Sequence, residues 1–404
     1  MSWETVFWSR LGKRQEIGID IANVTQREET RGGGVVLKVL HTGDLHLGMT
    51  HRTRNYPEEL RRQLVEARFL VLTKMVELAN QEGCQLLLIA RDLFHSHNVS
   101  KNTVLRAVKI LQSFAGACIA VLPGNHDYYN ESSAVWKTFL EHVPEYVLLL
   151  TQQKPYCLQE YGLDAVLYPA PCDRKHSAEN SLGWLRNLRE KPVAKWHFGI
   201  AHGSVRGLSL DLEDNYFPME REELFATGLQ HWFLGHAHSR YPDLEKATDC
   251  GFTYCGTPEP DGFDCRHEGY AWFTTCHDDK VEHHAVRTGQ FRFIETTLEI
   301  QELETVEKYL KKIRSAAALV KLHLHGRLPQ EQFRRRGAYL QQCAENVGYL
   351  EYDDSMLQME LSAESIAAEF PAGSFPYLLL TSLVAEGEDE ALQLAYELVK
   401  RVKK

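Results

Sequence analysis

Short apolar runs recur along the chain, and polar residues follow each of them closely. The runs have the length and composition of buried strands. Five of them lie at residues 35–40, 86–89, 119–122, 198–201 and 232–234. The polar stretches behind them are rich in Asp, Asn and His, and they are Asp44-Leu45-His46, Ala90-Arg91-Asp92-Leu93-Phe94-His95, Gly124-Asn125-His126-Asp127, His202-Gly203 and Gly235-His236-Ala237-His238. Since ligands of open α/β sheets bind where strands end, these stretches predict one functional site.

The spacing within these stretches suits metal ligands. Residues two apart at a strand end point the same way, so Asp44 and His46 can converge on one site. Carboxylates can bridge two cations and each imidazole supplies one nitrogen, as hard-to-borderline divalent cations require. Two cations about 3.5–4 Å apart can hold both oxygens of an in-line attack at phosphorus. His126 lies beside the candidate ligand Asn125 and is free to donate a proton.

A single His-x-His is usually structural, and His323 and His325 are interpreted as one face of a strand. Five such fragments, each behind an apolar strand, predict a dinuclear metal site instead.

Strands and helices alternate after residue 35. Residues 57–81 carry apolar positions at helical spacing, and Ser100 is a plausible N-cap for the next helix. The pattern predicts an α/β fold: a sandwich of two sheets flanked by helices. We expect a poorly ordered N-terminal extension at residues 1–34, a main domain at 35–290 and a small α/β domain at 291–404. Two short strands are expected within the last domain, at residues 349–352 and 357–361.

These motifs, in this order, resemble those of the calcineurin-like metallophosphoesterases. The stretch Asp92-Leu93-Phe94-His95-Ser96 is similar to the second motif of the Mre11/SbcD DNA-repair nucleases, and residues 254–260 (Tyr-Cys-Gly-Thr-Pro-Glu-Pro) are similar to a segment behind their last histidines. The resemblance covers roughly residues 37 to 290. It implies that residues 35–290 are a nuclease domain and residues 291–404 a capping domain that shapes access of DNA.

The resemblance also assigns roles to single residues. It implies two divalent cations, most often manganese, which share Asp92. His126 would be the catalytic histidine and His95 a second histidine that contacts the DNA backbone. The implied ligands of one metal are Asp44, His46, Asp92 and His238, and those of the other are Asp92, Asn125, His202 and His236. Family members form homodimers through helices like those flanking the second strand, and often bind an ABC-type ATPase of the SbcC/Rad50 kind.

Arg91 departs from the family, which has Gly immediately before the bridging Asp. Gly permits a tight backbone or a positive φ at such a turn. Arg91 could therefore bend the turn and displace Asp92. It could instead point outward and contact a phosphate, as Arg does well.

Composition limits the classes of protein that the chain can belong to. The net charge of −10 excludes a protein that is basic throughout, so DNA binding would need a local basic patch. The nine cysteines without Cys-x-x-Cys spacing predict reduced thiols and a cytoplasmic location. For the four cysteines at 250, 255, 265 and 276, core packing is favoured over a structural zinc site, because the spacing matches no common zinc motif. No apolar run approaches membrane-spanning length. Candidate DNA contacts are the basic residues Arg52, Arg54, Arg91, Arg334, Arg335 and Arg336.

The sequence therefore predicts a manganese-dependent DNA phosphodiesterase, a 3′-5′ exonuclease or an endonuclease, that processes DNA ends in double-strand break repair. One alternative is another metallophosphoesterase, either a nucleotide phosphodiesterase or a phosphatase. The other is a DNA-binding subunit whose activity Arg91 impairs.

Overall fold

The computed structural model describes residues 36–208 and 215–402. The chain divides into two compact units between Arg292 and Phe293. The predicted extension at residues 1–34 lies outside the described residues. Within them, no helix combines the length and apolar character that crossing a membrane requires.

The N-terminal unit contains two sheets and five α-helices within its described residues. Its strands are β1 (Leu37–Thr42), β2 (Leu86–Ile89), β3 (Cys118–Val121), β4 (Val147–Leu149), β5 (Tyr156–Cys157), β6 (Ala165–Ala170), β7 (Trp196–His202), β8 (His231–Gly235), β9 (Lys246–Thr248), β10 (Phe252–Tyr254), β11 (Tyr270–His277) and β12 (Lys280–Arg287). Its helices are α1 (Glu58–Gln81), α2 (Lys101–Leu111), α3 (Ala134–Leu140), α4 (Gly183–Arg186) and α5 (Arg221–Ala226).

The strands form a seven-stranded sheet in the order β4-β3-β2-β1-β11-β12-β9 and a five-stranded sheet in the order β10-β8-β7-β6-β5. Strands β1 to β4 run parallel to one another, as do β6, β7, β8 and β10. The carboxyl ends of each parallel set therefore meet at one edge of its sheet, where the polar stretches begin.

Strand β2 explains why the apolar runs are continuous rather than alternating. Leu87 and Ile89 pack in a core that includes residues of α1 and α2, whereas Leu86 and Leu88 pack in a core shared with β7 and β8 of the other sheet. A strand that is buried on both faces needs apolar side chains at every position. The predicted two-sheet sandwich with flanking helices is confirmed.

The two predicted helices are present. Helix α1 covers nearly the whole range predicted from its spacing and begins directly after Pro57. Helix α2 is N-capped by the Ser100 hydroxyl, which accepts a hydrogen bond from the backbone N–H of Thr103 at 3.1 Å.

The C-terminal unit contains one three-stranded sheet, in the order β13-β14-β15, and five α-helices within its described residues. Its elements are β13 (Arg292–Ile300), α6 (Glu304–Ile313), β14 (Ser315–Leu328), α7 (Gln330–Cys343), β15 (Val347–Met359), α8 (Ala363–Glu369), α9 (Phe375–Glu386) and α10 (Asp389–Val402). Its core is apolar and includes Val306, Leu310, Val320 and Leu340.

The expectation of two short strands at residues 349–352 and 357–361 is wrong. Strand β15 is continuous, because it pairs in parallel with β14 over almost its whole length. Asp353, Asp354 and Ser355 favour turns in isolation. Asp353 pairs with His323 and Met356 pairs with His325, and this pairing on both sides keeps the strand extended through the irregularity in register at Asp354 and Ser355.

Candidate metal centre

Backbone hydrogen bonds join the polar stretches to one another. The N–H of His46 donates to the carbonyl of Asp92 at 2.9 Å, and the N–H of His95 donates to the carbonyl of Leu47 at 3.0 Å. On the other sheet, the N–H of Gly203 donates to the carbonyl of Gly235 at 3.2 Å. Each stretch thus fixes the position of its neighbour.

Asp127 holds the third stretch against the second. Its buried carboxylate accepts the backbone N–H of Gly124 at 2.7 Å and that of Phe94 at 2.9 Å. Burial raises the pKa of Asp127 well above its usual range, and the nearby charge of Asp92 adds to this effect. At Gly124 a Cβ would lie 2.2 Å from Asp92 Oδ1, so only glycine lets the two stretches approach.

The first group of candidate ligands is Asp44, His46 and His238. They offer one ligand atom each, and the three atoms lie within 4.8 Å of one another. His46 Nε2 lies 3.8 Å from Asp44 Oδ1 and 3.9 Å from Asp92 Oδ2. Asp92 therefore adjoins this group, as a bridging carboxylate would.

The second group is Asn125, His202 and His236. The rings of His202 and His236 have their centroids 5.2 Å apart. Asn125 donates its Nδ2 to the carbonyl of Lys175 at 3.2 Å, which leaves its side-chain oxygen as a potential ligand. The next residue, His126, donates its backbone N–H to Asp92 Oδ1 at 2.9 Å and so ties this stretch to the shared carboxylate.

The electrostatics of these groups fit divalent cations. Among the described residues, Asp44 Oδ1, His46 Nδ1 and both ring nitrogens of His202 are buried without a hydrogen-bond partner. Burial lowers the pKa of His46 and His202 well below 6.5, so both imidazoles are neutral and carry a lone pair. Burial also raises the pKa of Asp92, which the charges of His126 and Arg91 only partly offset. Bound cations would satisfy these atoms, and the mixture of carboxylate, amide and imidazole donors fits two divalent ions.

His126 and His95 lie beside the ligands and are only partly buried. Their rings stack, with centroids 5.8 Å apart and planes 24° apart. The His126 ring lies 4.9 Å from that of His46. Since His46, His95 and His126 also offer ligand atoms within 4.8 Å of one another, the geometry permits His126 either as a proton donor or as a further ligand.

Arg91 points inward. Its side chain is 1% exposed and forms an ion pair with Asp44, and its guanidinium also donates to the carbonyl of Ala237 at 3.3 Å. Burial lowers the pKa of Arg91 to about 10, so the group remains a cation at neutral pH. The outward orientation and the DNA contact considered for Arg91 are wrong, because the two sheet edges leave room for its side chain inside the centre. Glycine provides that room at Gly235, where a Cβ would lie 2.2 Å from Arg91 Cδ.

The backbone of the centre is strained. Arg91 has a φ of 142°, in the region that favours glycine. Four candidate ligands share a positive φ, namely Asp44 (50°), His46 (44°), Asp92 (35°) and His236 (102°). Such conformations cluster at functional sites, where the surrounding structure enforces them.

Two residues of the centre escape sequence reasoning. Arg68, 1% exposed on α1, donates to the carbonyl of Leu45 at 2.9 Å and lies 3.7 Å from Asp261. Asp261 lies 3.8 Å from His238 Nδ1 and so can orient that ring. The one available signal is the position of Arg68, a charged residue between Ala67 and Phe69 within the apolar stripe of α1.

The predicted DNA contacts have different surroundings. Arg52 and Arg54 are exposed, and the Arg54 guanidinium lies close to Gly262 near Asp261. In the C-terminal unit, Arg334 and Arg335 are exposed. Arg336 forms an ion pair with Asp354 at 2.7 Å and packs over the Phe333 ring, so it is engaged within its own unit.

Fold and site together define a metal-dependent hydrolase with two sheets and with donor groups that suit divalent cations. The model of the calcineurin-like phosphoesterase family matches residues 37–240, about half of the chain. The chain belongs to this family.

Two of the similar curated proteins each match about half of the chain. The chain is 27% identical over 213 residues to an uncharacterized metallophosphoesterase, YhaO, of Bacillus subtilis (strain 168), covering 50% of this chain and 49% of that protein. It is 23% identical over 211 residues to the DNA double-strand break repair protein Mre11 of Saccharolobus solfataricus, covering 51% and 50%. The match thus spans about half the length of these relatives.

Two solved structures are also similar. The protein TT1561 of Thermus thermophilus has a TM-score of 0.35 at 11% identity, covering 60% of this chain and 99% of that chain. A dimetal phosphatase from Danio rerio has a TM-score of 0.37 at 12% identity, covering 62% and 99%.

Proposed function

We propose that this protein is a manganese-dependent DNA phosphodiesterase of the Mre11/SbcD type that processes DNA ends, as in double-strand break repair. The observation that carries the proposal is the stacked pair His95 and His126 beside the ligand groups. Similarity to the DNA double-strand break repair protein Mre11 of Saccharolobus solfataricus, at 23% identity over 211 residues, supports it.

The proposal assigns separate tasks to the ligands and the histidine pair. Cations held by the two ligand groups would supply positive charge to both oxygens of an in-line displacement at phosphorus. His126, held in place by the hydrogen bond from its backbone to Asp92, would donate a proton to the leaving oxygen. Burial, with a smaller effect from His126, lowers the pKa of His95. A neutral His95 can donate a hydrogen bond to a neighbouring phosphate without charge repulsion against His126.

A DNA substrate brings phosphates on either side of the scissile bond. Arg52 and Arg54 follow the Asp44–His46 stretch and are exposed. The positive charges of these two arginines support a contact with the flanking phosphates. They provide a local basic surface in a chain whose net charge is −10.

The remaining parts of the proposal concern location and partners. The nine cysteines are all free, which supports a cytoplasmic location. A homodimer and an SbcC/Rad50-like ATPase partner are also part of the proposal. Exposed apolar residues on α9 and α10, among them Phe375, Leu378 and Leu394, support a protein contact in the C-terminal unit.

A substrate panel tests the proposal. With Mn²⁺, the protein should cleave linear and hairpin DNA as well as a small aryl phosphodiester, and strand-specific end labels should report the direction of cutting. Cleavage of the aryl ester or of mononucleotides without cleavage of DNA would favour another metallophosphoesterase. DNA binding without cleavage of any ester would favour a subunit impaired by Arg91.

A further inference from the structure

A second cluster of metal-binding side chains lies away from the dinuclear centre. His231, Cys250 and His283 offer one ligand atom each, and the three atoms lie within 4.8 Å of one another. His231 is the first residue of β8, at the opposite end of that strand from His236. Along an extended strand five residues span roughly 16 Å, so the cluster is separate from the dinuclear centre.

The three residues come from different parts of the sandwich. His283 belongs to β12 in the seven-stranded sheet, whereas His231 belongs to β8 in the five-stranded sheet. Cys250 lies between β9 and β10, one strand of each sheet. The cluster therefore bridges the two layers of the fold.

Hydrogen bonds orient both imidazoles. His231 Nε2 lies 3.1 Å from the Thr253 hydroxyl, and His283 Nδ1 lies 2.9 Å from the Thr274 hydroxyl. When each of these nitrogens donates to its threonine, the opposite nitrogen carries the lone pair. A fixed tautomer of this kind is the usual arrangement around a histidine that binds metal.

The opposite nitrogens are His231 Nδ1 and His283 Nε2, and both are buried with no hydrogen-bond partner in the described part of the chain. The residues are 0% and 2% exposed. An unpaired buried nitrogen costs stability, since water would satisfy it in the unfolded chain. Two such nitrogens, on histidines that share a cluster with a cysteine, form with its sulfur a donor set that a cation would satisfy.

The protonation states are compatible with a cation. Burial lowers the pKa of His283 to about 4 and that of His231 well below 6.5, so both rings are neutral at pH 7. Burial raises the pKa of the Cys250 thiol to about 11. A coordinated cation would displace the thiol proton, so binding would release one proton per site.

We propose that His231, Cys250 and His283 form a zinc site that joins the two sheets. Two imidazoles and one thiolate are borderline-soft donors that suit Zn²⁺, whereas Mn²⁺ prefers carboxylate and carbonyl oxygens, which these three side chains do not offer. The thiolate and the neighbouring Asp249 carboxylate, which accepts the N–H of Val281 at 2.9 Å, balance the charge of the ion. Three protein ligands leave a fourth position for water, and Cys250 is only half-buried.

This ligand set differs from the cysteine motif considered from the sequence. Cys255 and Cys276 are buried in the fold and do not join Cys250 in this cluster, and Cys265 lies with His238 and Asp261. The two histidines come from strands distant in sequence, so the cysteine spacing gave no indication of the site.

Cobalt titration of the full chain tests the proposal, because Co²⁺ bound to a thiolate shows a charge-transfer absorption that oxygen and nitrogen ligands lack. We expect this band in the wild type and its loss in Cys250→Ser. Zinc content should fall by one ion per chain in Cys250→Ser and equally in His283→Gln. Zinc should raise the Tm of the chelator-treated wild type by about 5–10 °C, as binding at 100 times Kd implies, and should not raise the Tm of Cys250→Ser to the same extent.

Two other cysteines provide matched controls. Cys157→Ser alters an exposed thiol, and Cys265→Ser alters the buried thiol beside the dinuclear centre. Both variants should keep the band and the zinc ion. A wild type without the band, a band that survives in Cys250→Ser, or a band lost in Cys265→Ser instead would overturn the proposal.

Discussion

The two units of this protein differ in what they bury. Among the described residues, every buried polar or charged side chain lies before Arg292, and the buried side chains of the C-terminal unit are apolar. Buried polar groups cost stability unless they are paired or bind an ion. The buried polar groups of the N-terminal unit are therefore explained by function and not by stability, whereas packing alone accounts for the core of the C-terminal unit.

Backbone conformation shows the same difference. Positive φ values occur at Asp44, His46, Arg91, Asp92 and His236 around the metal centre. The described non-glycine residues of the C-terminal unit show one such value, at Arg314, where α6 ends. Five of the ten such residues described in the N-terminal unit belong to the metal centre, where the surrounding structure enforces the geometry of the ligands.

The largest effects are expected from two substitutions in the N-terminal unit, which distinguish a metal ligand, Asp92, from a catalytic histidine, His126. Asp92→Ala should lose both bound metal and hydrolysis of DNA and aryl phosphodiester, because Asp92 adjoins the first ligand group and accepts the backbone N–H of His126, the residue after Asn125. His126→Ala should retain its metal and lose about 10²–10⁴-fold in rate, the usual contribution of a general acid or base. Elemental analysis and steady-state rates measure the two outcomes.

His323→Ala is the matched control in the C-terminal unit, where His323 contacts the exposed Glu295 at 3.0 Å. It should change neither metal content nor rate. Equal metal loss in Asp92→Ala and His126→Ala would make His126 a ligand and contradict its assigned role.

Arg91→Gly should have a smaller effect, in the opposite direction. The change removes a strained φ of 142° and frees Asp44 from its ion pair. Metal affinity should rise about tenfold, equivalent to about 1.4 kcal/mol, and turnover should rise with occupancy. Isothermal titration with Mn²⁺ measures the affinity.

Arg91→Lys keeps the positive charge and is the control. If the positive charge beside Asp44 lowers the Mn²⁺ affinity, Arg91→Lys should have the affinity of the wild type. If the geometry of the guanidinium lowers it, Arg91→Lys should have the affinity of Arg91→Gly. Unchanged Mn²⁺ affinity in Arg91→Gly would show that Arg91, in place of the glycine of the family, has no effect on metal binding.

The fold was largely predictable from the sequence, because strands buried on both faces leave continuous apolar runs such as residues 86–89. The helices were predictable from spacing and from the cap at Ser100. The ends of strands such as β15 were not, since pairing with β14 overrides the turn preference of Asp353 and Asp354.

The candidate metal centre was predictable as a set of motifs, because its ligands follow strands that run in parallel. The inward orientation of the Arg91 side chain was not predictable, since it depends on the space beside Gly235. Arg68 and Asp261 were missed for a similar reason. Their roles arise from contacts between distant segments, as does the His231, Cys250 and His283 cluster.

The smallest expected effect concerns the C-terminal unit. Arg334 and Arg335 are exposed, and the ion pair of Arg335 with Glu331 at 3.9 Å is itself exposed, so both arginines can reach phosphates. Arg336 is instead held by Asp354. Each phosphate contact contributes roughly 0.9 to the slope of log affinity against log salt. The double change Arg334→Ala with Arg335→Ala should therefore weaken DNA binding and flatten that slope by up to about 2, while hydrolysis of the aryl phosphodiester stays unchanged.

Arg336→Ala is the control, and it should lower the Tm through loss of its ion pair and its contact with Phe333 without changing the salt slope. Unaltered DNA affinity of the double variant across a salt titration would mean that these arginines are a solvated helix face, and that the C-terminal unit does not contact DNA through them.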